Sequence, residues 1–429
     1  MLNDFLKFID ESKTEYHATK NIKEILKNDG FIELNEYKPF DIKPNGNYFI
    51  TINNSSIIAF KIPSNLNNLS FNISAAHLDS PGFKLKPNPL IEKNGYYLLN
   101  TEPYGGVIYN SFLDRPLDIA GRIFINDNNK IKMRLFSFDR AVCQIPSQSI
   151  HYNRNVNEEN KLNPQIDMLP ILCKKDKDIN FNDLIKEELN IDNDILGYDL
   201  YLSILDKSSL VGINNEFISA PKLDDLVSSY ALTKALIKSS TKNINVLALF
   251  NNEEIGSSTM NGANSNMLNN ILDRILDSLK IENKNIVYSK SFLVSADNAQ
   301  GFHPSFGEKY DPTNRAILNQ GLAIKVASNG SYTSDGYSIS IFKKILDDNK
   351  IKYQYMTNRS DIKGGSTLGA LLLRHLSIHS VDIGIPELAM HSSNELMGAN
   401  DLSNFIDAMK AFYETKINFI DDENIEIGD

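Results

Sequence analysis

Helix-like and strand-like segments alternate through the second half of this chain, and this alternation constrains the fold more than any other feature. The helix-like segments after Pro221 are "LDDLVSSYALTKALIKSS", "MLNNILDRILDSLK" and "GYSISIFKKILDDN". Between and after them come the short apolar runs "INVLALF", "SFLVSAD" and "HSVDIGIP". Strands that alternate with helices favour a parallel or mixed sheet covered by helices on both faces. We therefore predict an α/β fold with a mixed sheet sandwiched by helices.

The first part of the chain fits the same domain, whereas the middle part differs. Apolar positions such as Phe5, Ile9 and Ile22 suit amphipathic helices, and "NLSFNISAAH" is typical of a buried strand. From about residue 83 to 220 the chain changes to short strand-like runs divided by turn residues, as in "NGYYLLNTEPYGGVIYN". The sequence predicts one α/β domain, residues 1–82 plus 221–429, interrupted by a β-rich domain at 83–220.

Composition indicates a globular protein of 429 residues without a nucleic-acid or membrane partner. The 44 basic and 54 acidic residues give a net charge of -10, which opposes binding to phosphate backbones. No apolar run approaches the roughly 20 residues that a membrane span needs. The amino terminus mixes charges with apolar residues, unlike a signal peptide. Two cysteines, Cys143 and Cys173, cannot build a disulfide framework, so the cytoplasm is the expected compartment.

Polar side chains follow four of the predicted strands. His77 comes after "NISAA", Glu253 and Glu254 after "INVLALF", Asp297 after "SFLVSA", and His391 after "SVDIGIPELAM". In open α/β sheets, ligands bind beyond the carboxyl ends of the strands, because the loops there converge. Taken singly, the acids could be solvated surface groups and each histidine a core residue. Taken together, they predict a shared site.

Histidine and carboxylate groups without cysteine suit zinc, manganese or cobalt. Asp224, at the start of a predicted helix, could join the site or could simply interact with the helix dipole. The adjacent Glu253 and Glu254 would repel each other in a cleft unless cations lay nearby. One of the two could bind metal while the other takes a proton from an acidified water molecule. Asp79, two residues after His77, is predicted to hold its imidazole ring.

Seven motifs follow one another along the chain, and together they are more specific than any single one. The motifs are "AAHLDSPGFKLKPNP", "IPSQSIHYNR", "APKLDDLVSSYAL", "NNEEIGSSTMNGA", "SADNAQGFHP", "DIKGGSTLG" and "IPELAMHSSNE". Their order and approximate spacing resemble those of the M18 family of metalloaminopeptidases, which includes the aspartyl aminopeptidases and aminopeptidase I. The resemblance covers nearly the whole chain.

The resemblance implies a co-catalytic exopeptidase with two divalent metal ions per subunit, zinc as the first choice and cobalt or manganese as alternatives. By position, the implied metal ligands are His77 and Asp297 for one ion, Glu254 and His391 for the other, and Asp224 as the bridge. Glu253 is implied to be the general base and Asp79 the partner that orients His77. The implied reaction is hydrolysis of the first peptide bond of peptide substrates.

The β-rich insertion resembles the family's dimerisation domain, which implies a homo-oligomer, commonly a dodecamer built from dimers. His151 matches a histidine that the family delivers into a neighbouring subunit's site, and Lys325 lies where the family places a lysine near the first side-chain pocket. Gln300 stands where many relatives have histidine, so the preferred first residue, acidic or neutral, stays open.

Two other functions remain open at this level. A related dimetal deacylase or carboxypeptidase would use nearly the same ligands on a similar fold. A non-catalytic assembly protein could keep metals as structural elements. The segment "IPSQSIHYNR" and the type of insertion favour the aminopeptidase over the first alternative. Glu253 beside Glu254 opposes the second, because a structural metal site has no use for a spare base.

Overall fold

The structure, a computed structural model, describes residues 1–428. The helices are α1 (Leu2–Glu11), α2 (Glu15–Asn28), α3 (Phe181–Leu189), α4 (Leu223–Lys238), α5 (Met267–Ser278), α6 (Lys284–Ser289), α7 (Gly336–Asp348), α8 (Leu368–Leu372) and α9 (Asp401–Glu414). Within residues 1–428, none of them is long and apolar enough to cross a bilayer.

The strands divide the chain into a long first series and a second series that alternates with helices. The first series is β1 (Ile32–Glu33), β2 (Asn47–Ile52), β3 (Ser56–Lys61), β4 (Phe71–His77), β5 (Gly82–Lys93), β6 (Tyr96–Tyr104), β7 (Pro116–Asp127), β8 (Lys130–Ser137), β9 (Cys143–Gln144), β10 (Ile171–Lys174), β11 (Ile195–Ile204), β12 (Ser209–Val211) and β13 (Phe217–Ala220). The second series is β14 (Ile244–Phe250), β15 (Phe292–Ala296), β16 (Ala299–Gln300), β17 (Leu322–Lys325), β18 (Tyr353–Met356), β19 (His379–Gly384), β20 (Pro386–Leu388), β21 (Glu395–Gly398), β22 (Lys416–Phe419) and β23 (Ile425–Gly428).

A nine-stranded mixed sheet forms the centre of the α/β part. Its strand order is β1-β2-β3-β14-β4-β15-β19-β17-β18. The neighbours β14, β4, β15 and β19 run parallel, whereas β3 pairs antiparallel with β14, and β17 pairs antiparallel with β19. The predicted mixed sheet is confirmed. The four parallel strands also end at one edge of the sheet, which is where the polar groups were expected.

Both faces of this sheet are covered by helices because its central strands are apolar on both sides. In β14, Leu247 and Leu249 join the core under α1, α2, α4, α7 and α9. The alternate residues Val246, Ala248 and Phe250 join the core under α5, α6 and α8. Successive strand side chains point to opposite faces, so one continuous apolar run supplies two cores. This explains why "INVLALF" shows no alternation of polar and apolar residues.

A second, seven-stranded sheet is built from residues 82–204. Its order is β11-β5-β6-β10-β9-β7-β8, and an additional pairing of β11 with β7 closes part of it into a barrel. Its interior, with α3, forms a separate apolar core that includes Phe83, Leu117 and Ile123. The boundaries 83–220 stay a prediction. The strand β12 pairs with β13, and β13 pairs with β21, in a small five-stranded sheet beside the α/β part.

Candidate metal centre

Three strand ends of the central sheet place four of the predicted residues at one edge. His77 is the last residue of β4 and lies opposite Phe250, the last residue of the parallel strand β14. Glu253 and Glu254 follow β14 in a single 3₁₀ turn, and Asp297 follows β15. The register of a parallel ladder brings these ends together, because strands that run side by side end at the same edge.

The remaining two predicted ligands reach the same place from other elements. Asp224 lies in the first turn of α4, where its backbone and that of Asp225 leave the helical conformation and the peptide bond between them is cis. His391 lies in the loop between β20 and β21, and its φ of 68° is in the left-handed region. A residue other than glycine held there carries backbone strain of about 1–3 kcal/mol. The surroundings of His391 must therefore hold it.

The predicted ligands form overlapping clusters around Asp224. Ligand atoms of His77, Asp224 and Asp297 lie within 4.8 Å of one another, and so do those of Asp224, Glu254 and His391. The Nε2 atom of His77 is 3.5 Å from Asp224 Oδ1, and that of His391 is 3.3 Å from Asp224 Oδ2. Each oxygen of Asp224 thus faces one cluster. We refer to His77 and Asp297 as the strand-end pair, and to Glu254 and His391 as the turn pair.

Burial and mutual repulsion distort the proton affinities of the site. Burial raises the pKa of Glu253 to about 7, and burial together with Asp224 raises the pKa of Glu254 well above its usual range. Burial opposes a charge on His77, but Asp224 and Asp79 outweigh it and raise its pKa. Without a cation, bound protons would have to compensate the excess of carboxylates. A divalent cation would take over that compensation.

The chemistry of these side chains fits divalent metal ions. Among residues 1–428, Asp224 Oδ1 and Glu254 Oε1 are buried oxygens that accept no hydrogen bond. Such oxygens are costly unless a partner is supplied. Imidazole and carboxylate donors are those that zinc and similar ions bind at catalytic sites. The two orphaned oxygens belong to different clusters, and Asp224 faces both.

Asp79 organises the site in a way the sequence did not predict in full. Its carboxylate accepts the backbone amides of Glu253 (3.1 Å) and Glu254 (3.2 Å), and so fixes the 3₁₀ turn. The Nδ1 atom of His77 is 3.0 Å from the main-chain oxygen of Asp79 and 3.5 Å from its carboxylate. The hydroxyl of Tyr104 donates to the same carboxylate at 2.7 Å. Asp79 therefore orients His77 chiefly through its backbone.

Glu395 is a second carboxylate that holds ligand backbones, and the sequence reasoning gave it no role. It accepts the amide of Asp224 at 3.0 Å and the amide of His391 at 2.7 Å, and it is 2% exposed. One side chain therefore connects two predicted ligands that lie far apart in the chain. The available signal was an acid four residues after His391 in "HSSNE".

The two predicted substrate-binding residues differ in their surroundings. Lys325 is 2% exposed, and its ammonium group donates to the main-chain oxygens of Asp297 and Asn298, both at 2.9 Å. Burial opposes its charge, but Asp297, Tyr332 and other acidic groups outweigh burial and raise its pKa. His151 is exposed in the loop that follows β9. Contact of either residue with substrate stays a prediction.

Comparison with known proteins identifies the family. A family model described as "Aminopeptidase I zinc metalloprotease (M18)" matches residues 8–413. The chain belongs to the M18 family. A probable M18 family aminopeptidase 2 from Clostridium novyi (strain NT) is 44% identical over 423 residues, with 96% of this chain and 98% of the relative covered. The M18 resemblance expected from the seven motifs is confirmed.

Solved structures share the fold of this chain. A chain in the cryo-EM structure of the Ape4 and Nbr1 complex superposes with a TM-score of 0.91 at 32% identity, covering 96% of this chain and 85% of that one. The S. cerevisiae mApe1 dodecamer matches with a TM-score of 0.84 at 24% identity, covering 96% of both chains, which shows the fold alone. The protein is thus a metalloaminopeptidase of the M18 family, a family described as zinc-dependent.

Proposed function

We propose that this aminopeptidase works with two divalent ions, most simply zinc, held by the strand-end pair, the turn pair and a bridging Asp224. The observation that carries the proposal is that the two oxygens of Asp224 face two different clusters, at 3.5 Å from His77 and 3.3 Å from His391. A single ion would leave one cluster without a cation. Cobalt and manganese accept the same donors.

The reaction follows from what the side chains can do. Ions bound there would polarise the scissile carbonyl and acidify a water molecule. We propose Glu253 as the general base that takes the proton from water and passes it to the departing amine. Support comes from its position: its carboxylate lies within 4.8 Å of ligand atoms of His77 and Glu254, and its amide is fixed by Asp79. Glu254, its neighbour, belongs to the turn pair.

The substrates we propose are peptides with a free amino terminus and an acidic or neutral first residue. Lys325 would act on this selectivity through Asp297 and Asn298, which link β15 to β16 and whose main-chain oxygens its ammonium group holds. Lys325→Met keeps an unbranched side chain of similar length and removes the charge. If Lys325 helps to select the first residue, this variant should change the ratio of kcat/KM between peptides that begin with Asp and with Leu.

We further propose that the chain works as a homo-oligomer built from dimers through the β-rich region. One structural relative is a dodecamer, and His151 is exposed on a loop of this region, where it could enter a neighbouring subunit. Sedimentation velocity tests the assembly against twelve times the 48.3 kDa of one chain. His151→Ala should lower activity without changing the sedimentation coefficient. A fully active monomer would refute both parts.

The experiment that tests the activity is residue release from a panel of short peptides that begin with Asp, Glu, Leu, Met or Lys. Each peptide is tested with and without a blocked amino group, before and after chelation, and with zinc, cobalt or manganese restored. We expect metal-dependent release of the first residue from free peptides only. Release from the carboxyl end, or deacylation of blocked amino acids, would instead support a related dimetal amidohydrolase.

Replacement of Glu253 separates the base from the ligands. Glu253→Gln should reduce kcat by roughly 10²–10⁴-fold, the usual contribution of a general base, while two ions remain bound. Metal content is measured by mass spectrometry on the same samples. Unchanged turnover would refute the proposed base, and loss of an ion would assign Glu253 to the ligands instead.

A further inference from the structure

A segment of the β-rich region, residues 104–111, contacts the metal centre of its own chain. We call it the 104–111 segment. It comprises the last residue of β6, a short loop and most of the 3₁₀ helix Tyr109–Phe112 that follows. The main-chain oxygen of Gly106 lies 3.1 Å from Nδ1 of His391, and the amide of Ile108 donates to the main-chain oxygen of His391 at 3.1 Å. Ser393, two residues after His391, forms two hydrogen bonds with Ser111: its amide donates to the Ser111 hydroxyl, and its hydroxyl donates to the Ser111 main-chain oxygen. The His391 loop is therefore bound to this segment.

Two glycines allow the approach. A Cβ atom at Gly105 would lie 3.0 Å from Cβ of Glu254 and 3.2 Å from its main-chain oxygen, and Gly105 has a φ of +71°. A Cβ atom at Gly106 would lie 3.3 Å from Nδ1 of His391. Each glycine thus faces one member of the turn pair. A side chain at either position would push against a predicted metal ligand.

The contacts at His391 compensate for its backbone strain. Its φ of 68° is unfavourable for a residue with a side chain. Its amide is held by Glu395, its carbonyl oxygen by Ile108 and its ring by Gly106. Two of these three contacts come from the 104–111 segment. Without the segment, the loop would have little to keep His391 in this conformation.

The contact with Gly106 also selects the tautomer of the His391 ring. A carbonyl oxygen can only accept, so Nδ1 must carry the proton. Nε2 then presents its lone pair, and it is this atom that lies 3.3 Å from Asp224 and 3.5 Å from Glu254. Histidines that bind metals are commonly oriented in this way by their second nitrogen. The 104–111 segment thus supplies the partner that makes His391 a ligand.

We propose that the 104–111 segment is a positioning element for the turn pair, so that metal binding by Glu254 and His391 depends on the β-rich region of the same chain. This rests on the proposed two-ion site. The strand-end pair is supported mainly by the central sheet. The segment is linked to it through the bond from Tyr104 to Asp79, which substitutions at Gly105 and Gly106 leave in place. The β-rich region then has a role within the subunit that is separate from any role in assembly.

Two matched pairs of variants test the proposal in the full chain. Gly105→Ala is compared with Gly95→Ala, since both glycines have a positive φ, +71° and +80°, but a Cβ at Gly95 meets nothing within 4 Å. Gly106→Ala is compared with Gly197→Ala, where a Cβ also meets nothing within 4 Å. Zinc content is measured across a series of buffered free-zinc concentrations. Hydrogen exchange of residues 389–393 is measured on the metal-free proteins.

We expect the variants at Gly105 and Gly106 to keep one ion and to bind the second roughly 10–100-fold more weakly, the usual cost of losing an outer partner of a ligand. Exchange at 389–393 should become faster in both. The controls should match the wild type in metal binding and exchange. If Gly105→Ala does not fold, Gly106→Ala decides the question alone.

Three results would overturn the proposal. One is wild-type affinity for both ions in Gly106→Ala, and another is equal weakening of the two ions. The third is unchanged exchange at 389–393. A wild-type protein that binds only one ion would refute the two-ion site of the proposed function. In that case the exchange data on metal-free protein would still show whether the 104–111 segment holds the His391 loop.

Discussion

The strand-end pair and the turn pair reach one centre by different structural means. His77 and Asp297 sit on and directly after neighbouring parallel strands, and the side chain of His77 is 1% exposed. Glu254 and His391 sit on a 3₁₀ turn and a loop, and the side chain of His391 is 29% exposed. Hydrogen-bonded ladders restrict the first pair before any ligand is present. The second pair depends on contacts with other parts of the chain.

This difference indicates which contacts hold each pair in position before a metal ion binds. A ladder residue is positioned by main-chain bonds that also build the sheet, so its placement costs little extra. A loop residue needs dedicated partners, and the turn pair has four. Asp79 holds the Glu254 amide, Glu395 the His391 amide, Ile108 the His391 carbonyl oxygen and Gly106 the His391 ring. Sites held to within about 0.5 Å need such support. We expect the ion at the turn pair to be the weaker of the two.

The largest expected effect is at Asp224, which serves both pairs. Asp224→Asn preserves the size of the side chain and removes the charge that faces His77 and His391. Both ions should be weakened by more than the roughly 100-fold that loss of an outer partner causes, and activity should fall with them. His391→Ala, in contrast, should weaken only one ion. Zinc titration in the presence of a competing chelator measures both.

An Asp224→Asn protein that keeps one ion at wild-type affinity would break the comparison. It would mean that the carboxylate belongs to one pair and not to the boundary between the two. The identity of the retained ion follows from combining Asp224→Asn with His77→Ala or with His391→Ala. If the retained ion is bound at the strand-end pair, it should be lost when Asp224→Asn is combined with His77→Ala and kept when Asp224→Asn is combined with His391→Ala.

The next effect in size is expected at Glu395. In Glu395→Gln only one oxygen remains to accept, so one of the two amides, of Asp224 or of His391, loses its partner. We expect a roughly 10–100-fold loss of affinity, mostly at the turn pair. Glu414→Gln is a matched control, because Glu414 accepts the amide of Ser240 on a different part of the molecule. Equal metal affinities in Glu395→Gln and Glu414→Gln would show that Glu395 does not support the metal centre.

The sequence predicted the strand-end part of the centre because two simple signals determine it. Apolar runs identified β4, β14 and β15, and the rule that ligands gather at carboxyl ends of parallel strands placed His77, Glu253 and Asp297 together. The structure brings them to one edge as expected. Their catalytic and metal-binding roles stay predictions. The placement itself required no knowledge of side-chain contacts.

The supports of the turn pair could not be derived in this way. The pairing of Gly106 with His391 joins residues 285 positions apart, and no periodicity relates them. The residue type gives only a weak signal for the left-handed backbone of His391. Histidine is enriched among the non-glycine residues in that region, but such residues occupy it uncommonly. The glycine pair 105–106 was visible, but a glycine pair usually indicates a turn. Only the packing of the β-rich region against the α/β part shows that these glycines also allow a close approach to Glu254 and His391.

A smaller effect is expected at Tyr104, whose hydroxyl donates to Asp79. Tyr104→Phe removes this bond, while the carboxylate keeps the amides of Glu253 and Glu254. Because two of three contacts remain, kcat/KM should fall by about tenfold or less. Tyr198→Phe is the control, since its hydroxyl donates to main-chain oxygens elsewhere in the β-rich region. A loss as large as that of Glu253→Gln would place Tyr104 among the reacting groups.

The smallest effect on the centre is expected at Glu15, a buried acid outside both pairs. Burial, with Asp79 and Asp199 nearby, raises its pKa to about 7, while the phenol of Tyr16 opposes the shift. The folded protein therefore binds this proton more tightly than the unfolded chain, whose glutamate titrates near 4.5. Stability contributed by the protonated form is present at low pH and is lost as pH rises from 4.5 to 7, by about 3 kcal/mol in total.

Glu15→Gln removes this dependence. In urea denaturation with a chelator present, the variant should be nearly as stable as the wild type at pH 5 and more stable at pH 8, by up to about 3 kcal/mol. Affinity for both ions should stay unchanged, because Glu15 contacts neither pair. Weakened binding at the turn pair alone would mean that α2 supports the centre through Asp79. The α/β part of the molecule would then support both pairs, and the difference in structural support between the strand-end pair and the turn pair would be smaller.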